Sequence, residues 1–145
     1  MSTSPAVSGT ASSEAWGLFW RIFSADKPRR MLTLNEVGLA PMQAMALTHL
    51  EPAEPMPMSA LAAVLMCDNS NVTGIVDRLE ALGLVERRPA ERDRRVKAVA
   101  LTERGIALRG VVQQRMSEPP PPLKRLSDED AATLRDILQR ALDEV

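Results

Sequence analysis

The sequence predicts a mainly α-helical fold of the α+β class, in which several helices accompany one small β-hairpin. Apolar residues recur three and four positions apart over most of the 145 residues, which is the period of a helix buried on one side. Prolines and glycines divide these segments into short pieces. Two stretches, "LVERR" and "VKAVAL", instead have the short, β-branched character of strands, and "PAERDRR" joins them as a hairpin loop.

The N-terminal third is expected to hold a tail and two helices. Residues 1–12 are mostly Ser, Thr, Ala and Gly, a composition typical of a flexible tail. Ser12 or Ser13 is predicted to cap the first helix. Pro28 interrupts that helix or starts the next turn, and a second helical piece ends near Gly38. The apolar positions of the first helix are Trp16, Phe19, Trp20 and Phe23.

Three further helices are predicted before the hairpin. Pro41 suits the first turn of one helix, whereas "EPAEPMP", with three prolines in seven residues, is expected to break regular structure. Ser59 is predicted to cap the short helix "SALAAVLM", and Asp68 to cap the helix that ends at Gly83. The apolar stripe of the first of these helices is Met42, Met45, Ala46 and His49 or Leu50.

Two helices are predicted after the hairpin. Thr102 caps one that runs to about Met116. "SEPPPPLKRL" is expected to be a rigid extended connector, in part polyproline II. Ser127, with three acidic residues in the first turn, starts a last helix that ends near Leu142.

This sequence shows no motif that is typical of an enzyme. It has one histidine and one cysteine, no second ligand at metal-binding spacing, and no glycine-rich phosphate loop or nucleophile elbow. We therefore expect no enzyme, no metal site and no cofactor. His49 is interpreted as a half-buried histidine with its hydrogen bonds satisfied, and Cys67 as a small buried residue.

Location and charge bear on the partners. No apolar run reaches the roughly 18–20 residues that span a bilayer, and the N-terminus lacks the features of a signal peptide, so a cytoplasmic protein without membrane contact is expected. The formal net charge is −1. Residues 69–104 nevertheless hold eight basic and six acidic residues, a net +2, against −3 for the remainder. Such a basic patch suits DNA binding, and it also suits an ordinary solvated surface.

The segment "SALAAVLMCDNSNVTGIVDRLEALG" has the pattern of a helix-turn-helix. Its second helix would bury a stripe centred on Val72 and offer the opposite face to the major groove. Gly74 on that face costs about 0.5–1 kcal/mol relative to alanine. Close approach to DNA would explain it, and so would a tolerated surface glycine. The residues of the outward face are Ser70, Gly74 and Asp77, flanked by Asn71, Thr73 and Arg78.

A hairpin directly after such a helix is a wing. The loop carries Arg92, Arg94 and Arg95, and guanidinium groups fit the negative potential of a narrow minor groove. Asp93 is placed to brace the guanidinium of Arg95 by a charge-assisted bond. We expect Arg78 and Lys97 to contact phosphates. The alternative is a solvated hairpin whose ion pairs contribute little.

The string "VDRLEALGLVERR", followed by "DRR" and "LTERG", resembles the MarR (multiple antibiotic resistance regulator) family of winged helix-turn-helix transcription factors. The resemblance extends over about residues 16–142. It implies an obligate homodimer that places two recognition helices in successive major grooves of a pseudo-palindromic operator and two wings in the flanking minor grooves. It also implies that Asn69 to Gly74 read bases and that Arg95 is the wing arginine.

Members of this family often bind small aromatic or phenolic acids, which loosens their hold on DNA. The resemblance therefore suggests an effector pocket, although an aromatic and methionine stripe at helical spacing is also typical of plain core. The candidate pocket residues are Trp16, Phe19, Trp20, Met42, Met45 and His49.

We thus predict one domain over residues 13–145, with the winged helix-turn-helix at about 39–102 and dimerisation helices at about 13–38 and 103–145. Its predicted function is sequence-specific binding of double-stranded DNA as a transcriptional regulator, a repressor that a small molecule releases. The alternative is a winged-helix protein-interaction module that does not bind DNA.

Overall fold

A computed structural model describes residues 10–143 as eight helices and three strands. Residues 1–9, most of the predicted tail, lie outside the described residues. In chain order the elements are α1 (Ala11–Ala25), α2 (Lys27–Glu36), α3 (Pro41–His49), β1 (Met56–Pro57), α4 (Met58–Val64), α5 (Asn69–Ala81), β2 (Val85–Pro89), β3 (Lys97–Leu101), α6 (Glu103–Met116), α7 (Pro121–Lys124) and α8 (Asp128–Asp143). None of the described helices is long and apolar enough to cross a membrane.

The chain forms two compact units. The terminal unit consists of the residues up to Pro28 together with those from Pro119 onward, and the central unit is Arg29–Glu118. In the terminal unit, Thr10 caps α1 by accepting the backbone N–H of Ser13 at 3.4 Å. The predicted caps Ser12 and Ser13 are therefore wrong, because Thr10 has the extended backbone that a capping residue needs.

The proline-rich connector is only partly extended. Pro120 has extended backbone, and α7 begins at Pro121 immediately after it. Prolines are tolerated in a first helical turn because the N–H groups there have no intrahelical partner. The prediction of an extended connector is therefore wrong for Pro121–Lys124, which form α7. The cap of α8 is confirmed, since Ser127 Oγ accepts the backbone N–H of Asp130 at 3.1 Å.

The central unit surrounds an apolar core to which α3, α4, α5, α6 and the sheet all contribute. The predicted stripe of α5 supplies three fully buried residues, Val72, Val76 and Leu79, and its outward face stays in solvent. Burying each such side chain contributes about 1.5–3 kcal/mol. Largest among the fully buried side chains are Leu47, Leu50, Leu61, Leu79 and Leu84.

The sheet has one strand more than predicted. β2 and β3 pair antiparallel, with Val85 opposite Leu101 and Arg87 opposite Val99. β1 adds to the other edge of β3, giving the order β1-β3-β2. The prolines around β1 argued against a strand, but an edge strand can leave one N–H unpaired. Because β1 runs directly into α4, that helix starts at Met58 with Pro57 before it, and Ser59 is not its cap.

Gly105 locks α6 against the base of the hairpin. A methyl group built on Gly105 would lie 1.9 Å from the carbonyl oxygen of Leu84, so only glycine fits there. Thr102 caps α6 as predicted, since its Oγ1 accepts the N–H of Gly105 at 3.0 Å. The same hydroxyl donates to the carbonyl of Gly83 at 2.6 Å. The hairpin is thereby held at a fixed place beside the end of α5.

Candidate nucleic-acid interface

Asp68 fixes the first turn of α5. Its Oδ1 accepts the backbone N–H of Asn71 and the hydroxyl of Ser70, both at 2.8 Å. The backbone bond from Asn71, followed by the hydroxyl bond from Ser70, lowers the pKa of Asp68 below its usual value. Because the hydroxyl hydrogen of Ser70 is engaged, its oxygen remains available as an acceptor toward a ligand.

The outward face of α5 is polar, and only some of its side chains form hydrogen bonds within the described chain. Thr73 Oγ1 donates to the carbonyl of Asn69 at 2.8 Å. The side-chain amides of Asn69 and Asn71 form no hydrogen bond with any residue that the structure describes. These amides are therefore free to donate and accept at base edges. All the predicted DNA-contacting residues of this helix are solvent exposed: Asn69, Ser70, Asn71, Thr73, Gly74 and Arg78.

Gly74 has no packing reason to be glycine. A methyl group built there meets no heavy atom within 4 Å among the described residues, its own helical backbone aside. Its φ is not positive, since the positive-φ glycines of the described chain are Gly38 and Gly83. Contacts within the described chain therefore do not offset the loss of helix stability that a glycine causes in a helix interior.

The wing loop is ordered by backbone bonds. The N–H of Ala90 donates to the carbonyl of Val96 at 2.8 Å, which closes the hairpin, and the N–H of Val96 donates to the carbonyl of Asp93 at 3.0 Å. Asp93 Oδ1 accepts the backbone N–H of Arg95 at 3.0 Å. The described residues show no bond from Asp93 to the Arg95 guanidinium. The prediction that Asp93 braces the Arg95 guanidinium was thus wrong. Asp93 bonds the backbone N–H of Arg95 and shapes the loop, and the arginine side chain stays unpaired within the described chain.

The basic residues of the hairpin and of the adjoining part of α5 fall into two groups. Arg87 pairs with Asp77 at 2.5 Å and with Glu80 at 3.0 Å, and Arg88 pairs with Glu86. The hydrogen bond to Asp77 is the main cause that raises the pKa of Arg87 above its usual value. In contrast, a set of exposed cations has no side-chain partner in the part of the chain that is described: Arg78, Arg92, Arg94, Arg95 and Lys97.

A shallow groove of about 250 Å³ joins α5 to the start of β3. Asn69 and Thr73 line it from the helix, and Lys97 lines it from the hairpin. The structure thus brings predicted residues of the recognition helix and of the wing to one surface. Met58, Val72 and Val96 also line the groove, so its lining is mixed. The unpaired ammonium group of Lys97 at its edge suits an anionic ligand such as a nucleic-acid backbone.

Comparison with known proteins identifies the family. A sequence model of the MarR family matches residues 39–97. The transcriptional regulator PecS of Dickeya dadantii is 37% identical over 83 residues, which are 57% of this chain and half the length of PecS. A MarR family protein from Bacillus stearothermophilus superposes with a TM-score of 0.77 at 26% identity, over 92% of this chain and 94% of that one.

CouR from Rhodococcus jostii RHA1, solved bound to p-coumaroyl-CoA, is 30% identical with a TM-score of 0.67, over 91% of this chain and 94% of CouR. The chain belongs to the MarR family. Membership confirms the predicted winged helix-turn-helix fold and the prediction of a DNA-binding transcriptional regulator. The residues that carry DNA binding, and those of an effector site, stay predictions.

The candidate effector residues of this MarR family chain lie in both units. In the terminal unit, Trp16 and Trp20 are exposed on α1, and the rings of Trp16 and Phe19 stack with centroids 5.6 Å apart. In the central unit, Met42 and His49 are exposed on α3, and Met45 is partly buried against the core.

His49 and Cys67 both differ from their predicted burial. His49 was expected to be half-buried, but it is exposed, because it lies in the last turn of α3 with its Nδ1 2.8 Å from the carbonyl oxygen of Met45. Cys67 was expected to be buried but is partly buried, in the turn before α5, where it packs against the core.

The sequence interpretation missed Asp77 and Glu80 as partners of Arg87. Their spacing of three residues places both on one side of α5, and Arg87 is the second residue of "ERR" after the helix. That spacing indicates that one cation can pair with both carboxylates. Only the path of β2 alongside α5 determines that this cation is Arg87 and not Arg88.

Proposed function

We propose that this protein is a sequence-specific, double-stranded DNA-binding transcriptional regulator that acts as a homodimer on a pseudo-palindromic operator. We further propose that it is a cytoplasmic repressor, released from DNA by a small aromatic or phenolic effector. The observation that carries DNA binding is the separation of the hairpin cations into a paired group and an unpaired group, the latter exposed beside the polar face of α5.

Base reading is assigned to the N-terminal half of α5. Asn71 is suited to adenine, because an amide donates and accepts side by side, and Ser70 accepts from a base amino group. Arg78 and Lys97 contact phosphates, which supplies affinity without sequence preference. This division follows from the free amide of Asn71 and the unpaired charges of the two cations.

Minor-groove contact is assigned to the wing. Arg95 enters the groove with its guanidinium unpaired, and Arg92 and Arg94 stand beside it on the same loop. Binding of these three cations to DNA would cost little interaction energy, because no ion pair within the described chain must be broken first. Asp93 contributes indirectly, since its bond to the Arg95 backbone N–H shapes the loop.

Dimer formation is supported by the apolar surface of the terminal unit. The side chains of Trp16 and Trp20 are more than half exposed on α1, and Ile137 and Leu138 are almost half exposed on α8. Apolar patches of this kind mark interaction surfaces. A two-fold pairing covers both copies of the patch at once and matches a two-fold operator.

Release by an effector is supported by CouR, the 30%-identical structure solved with p-coumaroyl-CoA. Both tryptophans of the chain, Trp16 and Trp20, lie among the candidate effector residues. Quenching of their fluorescence by p-coumarate or p-coumaroyl-CoA, together with loss of DNA from the same sample, would support the effector. Quenching without release of DNA would contradict it.

Selection of bound sequences from random duplex DNA tests the proposed function. We expect enrichment of an inverted repeat with half-sites about 10 base pairs apart, centre to centre. A variant with Arg92, Arg94 and Arg95 all changed to alanine should enrich no motif at the same salt concentration. If the unaltered chain enriches no sequence and retains no duplex, DNA binding is refuted and the protein-interaction module becomes the better account.

A further inference from the structure

One arginine of the wing strand reaches the recognition helix instead of DNA. Arg87 lies on β2, and its Nη2 and Nη1 meet Asp77 Oδ1 at 2.5 Å and Glu80 Oε1 at 3.0 Å. Its backbone N–H also donates to Glu80 Oε2 at 3.3 Å. The side chain of Arg87 is 25% exposed, whereas Asp77 and Glu80 are 61% and 44% exposed. The cation is thus covered and the two carboxylates face solvent.

The two carboxylates lie on the face of α5 that is proposed to read bases. Asp77 follows Ser70 by seven residues, which is nearly two helical turns along the same side. Glu80 likewise follows Thr73 by seven residues and lies on the same side of the helix as Thr73. A carboxylate on that side of a major-groove helix would be repelled by the phosphates of the duplex.

We propose that Arg87 is a positioning residue for DNA binding, which neutralises Asp77 and Glu80 and holds their carboxylates against the wing strand. This inference rests on the proposed function. Asp77, Glu80 and Arg87 together have a net charge of −1, and loss of the arginine charge would leave −2 beside the DNA. The hydrogen bond that Arg87 donates to Asp77 raises the pKa of Arg87, which agrees with a strong interaction between the two groups.

Arg87 differs from the arginines of the wing loop in the way its charge acts on DNA. A charge on Arg92, Arg94 or Arg95 acts on DNA directly. The charge on Arg87 acts through two acidic residues, so its removal should be compensated when an acidic charge is removed as well. A purely mechanical clamp predicts the opposite, because loss of either partner then breaks the same contact.

The test is a double-mutant cycle on the full chain. Arg87→Gln, Asp77→Asn and the double variant are compared with the unaltered chain by fluorescence anisotropy, on the selected duplex and on a random-sequence duplex, at two salt concentrations. Arg87→Gln should weaken binding about fivefold to twentyfold at low salt. The double variant should return to within about twofold of the unaltered chain, and the deficit of Arg87→Gln should shrink at high salt.

Two further variants keep the test independent of folding. Arg87→Lys retains the charge but not the planar fork that bonds two carboxylates, so it should retain most of the affinity. Arg88→Gln removes one positive charge from the neighbouring position, whose side chain points to the other face of β2. Because Asp77 then stays paired, affinity should fall less than about twofold. Melting temperatures of all variants exclude loss of fold as the cause.

Three outcomes overturn the inference. Equal losses for Asp77→Asn and Arg87→Gln would show a mechanical clamp. A loss in Arg87→Gln that persists in the double variant would show direct contact of Arg87 with DNA. Equal losses for Arg87→Gln and Arg88→Gln would show an effect of total charge alone. If the unaltered chain binds neither duplex, the proposed function falls, and this inference with it.

Discussion

Gly74→Ala should stabilise the protein and weaken its binding to DNA. The free chain leaves open space at this position, since an added methyl group meets no heavy atom within 4 Å among the described residues outside its helical backbone. Alanine should therefore return the roughly 0.5–1 kcal/mol that glycine costs in a helix interior. For a chain of this size that gain raises the melting temperature by about 1–4 °C.

The methyl group would point into the space that DNA occupies, because Gly74 lies on the same side of α5 as Ser70. If the helix approaches the bases as closely as proposed, we expect a loss of about tenfold or more in affinity, which is about 1.4 kcal/mol. Calorimetry or thermal denaturation measures the first effect, and fluorescence anisotropy on the selected duplex measures the second.

Gly110→Ala is the matched control. Gly110 is an exposed glycine within α6 whose added methyl group also meets no heavy atom within 4 Å in the described chain. It should give the same gain in stability with unchanged affinity for DNA. Because α6 lies in the region predicted to form the dimer, sedimentation of Gly110→Ala checks that the dimer is retained. If Gly74→Ala is stabilised and binds DNA as tightly as the unaltered chain, Gly74 is an ordinary surface glycine and the close approach is refuted.

The remaining predictions concern the wing, the division of contacts and the hairpin base. Arg95→Ala should weaken binding to DNA by about 1–3 kcal/mol with an unchanged melting temperature. Asp93→Ala should weaken it less, because it disturbs only the loop. If Arg95→Ala binds DNA as tightly as the unaltered chain, the wing assignment is excluded. Asn71→Ala should alter the base preference in a repeated selection. Lys97→Ala should weaken binding to every duplex and lower the slope of log affinity against log salt by about one. An equal loss of affinity for all duplexes from Asn71→Ala would contradict this division. Gly105→Ala should destabilise the fold by several kcal/mol, since the methyl group would lie 1.9 Å from the Leu84 carbonyl; an unchanged melting temperature would argue against that packing.

Local chemistry made much of the central unit predictable. The cap at Asp68, the apolar stripe of α5 and the end of this helix at Gly83 depend on residues within or next to one helix, and all three were predicted correctly from the sequence. The cap at Thr102 and the hairpin of β2 and β3 are equally local. Such features follow from spacing alone, because the interacting groups are neighbours in the chain.

The errors concern interactions between distant or competing groups. β1 pairs with β3 about forty residues later, and no local pattern in "EPAEPMP" announces that partner. The sequence placed Asp93 beside Arg95 correctly, but the carboxylate accepts the nearby backbone N–H and not the flexible guanidinium. The ion pairs of Arg87 likewise depend on how β2 returns along α5, which only the folded chain determines.

The central claim is that two copies of this chain bind one duplex through α5 and the wing. Sedimentation of the full chain with the selected inverted-repeat duplex, labelled with a dye, tests it most directly. We predict one complex of two chains per duplex, and no complex at the same salt concentration when Arg92, Arg94 and Arg95 are all alanine. A single chain bound tightly to the inverted repeat, or an undiminished complex with the triple variant, would contradict the claim.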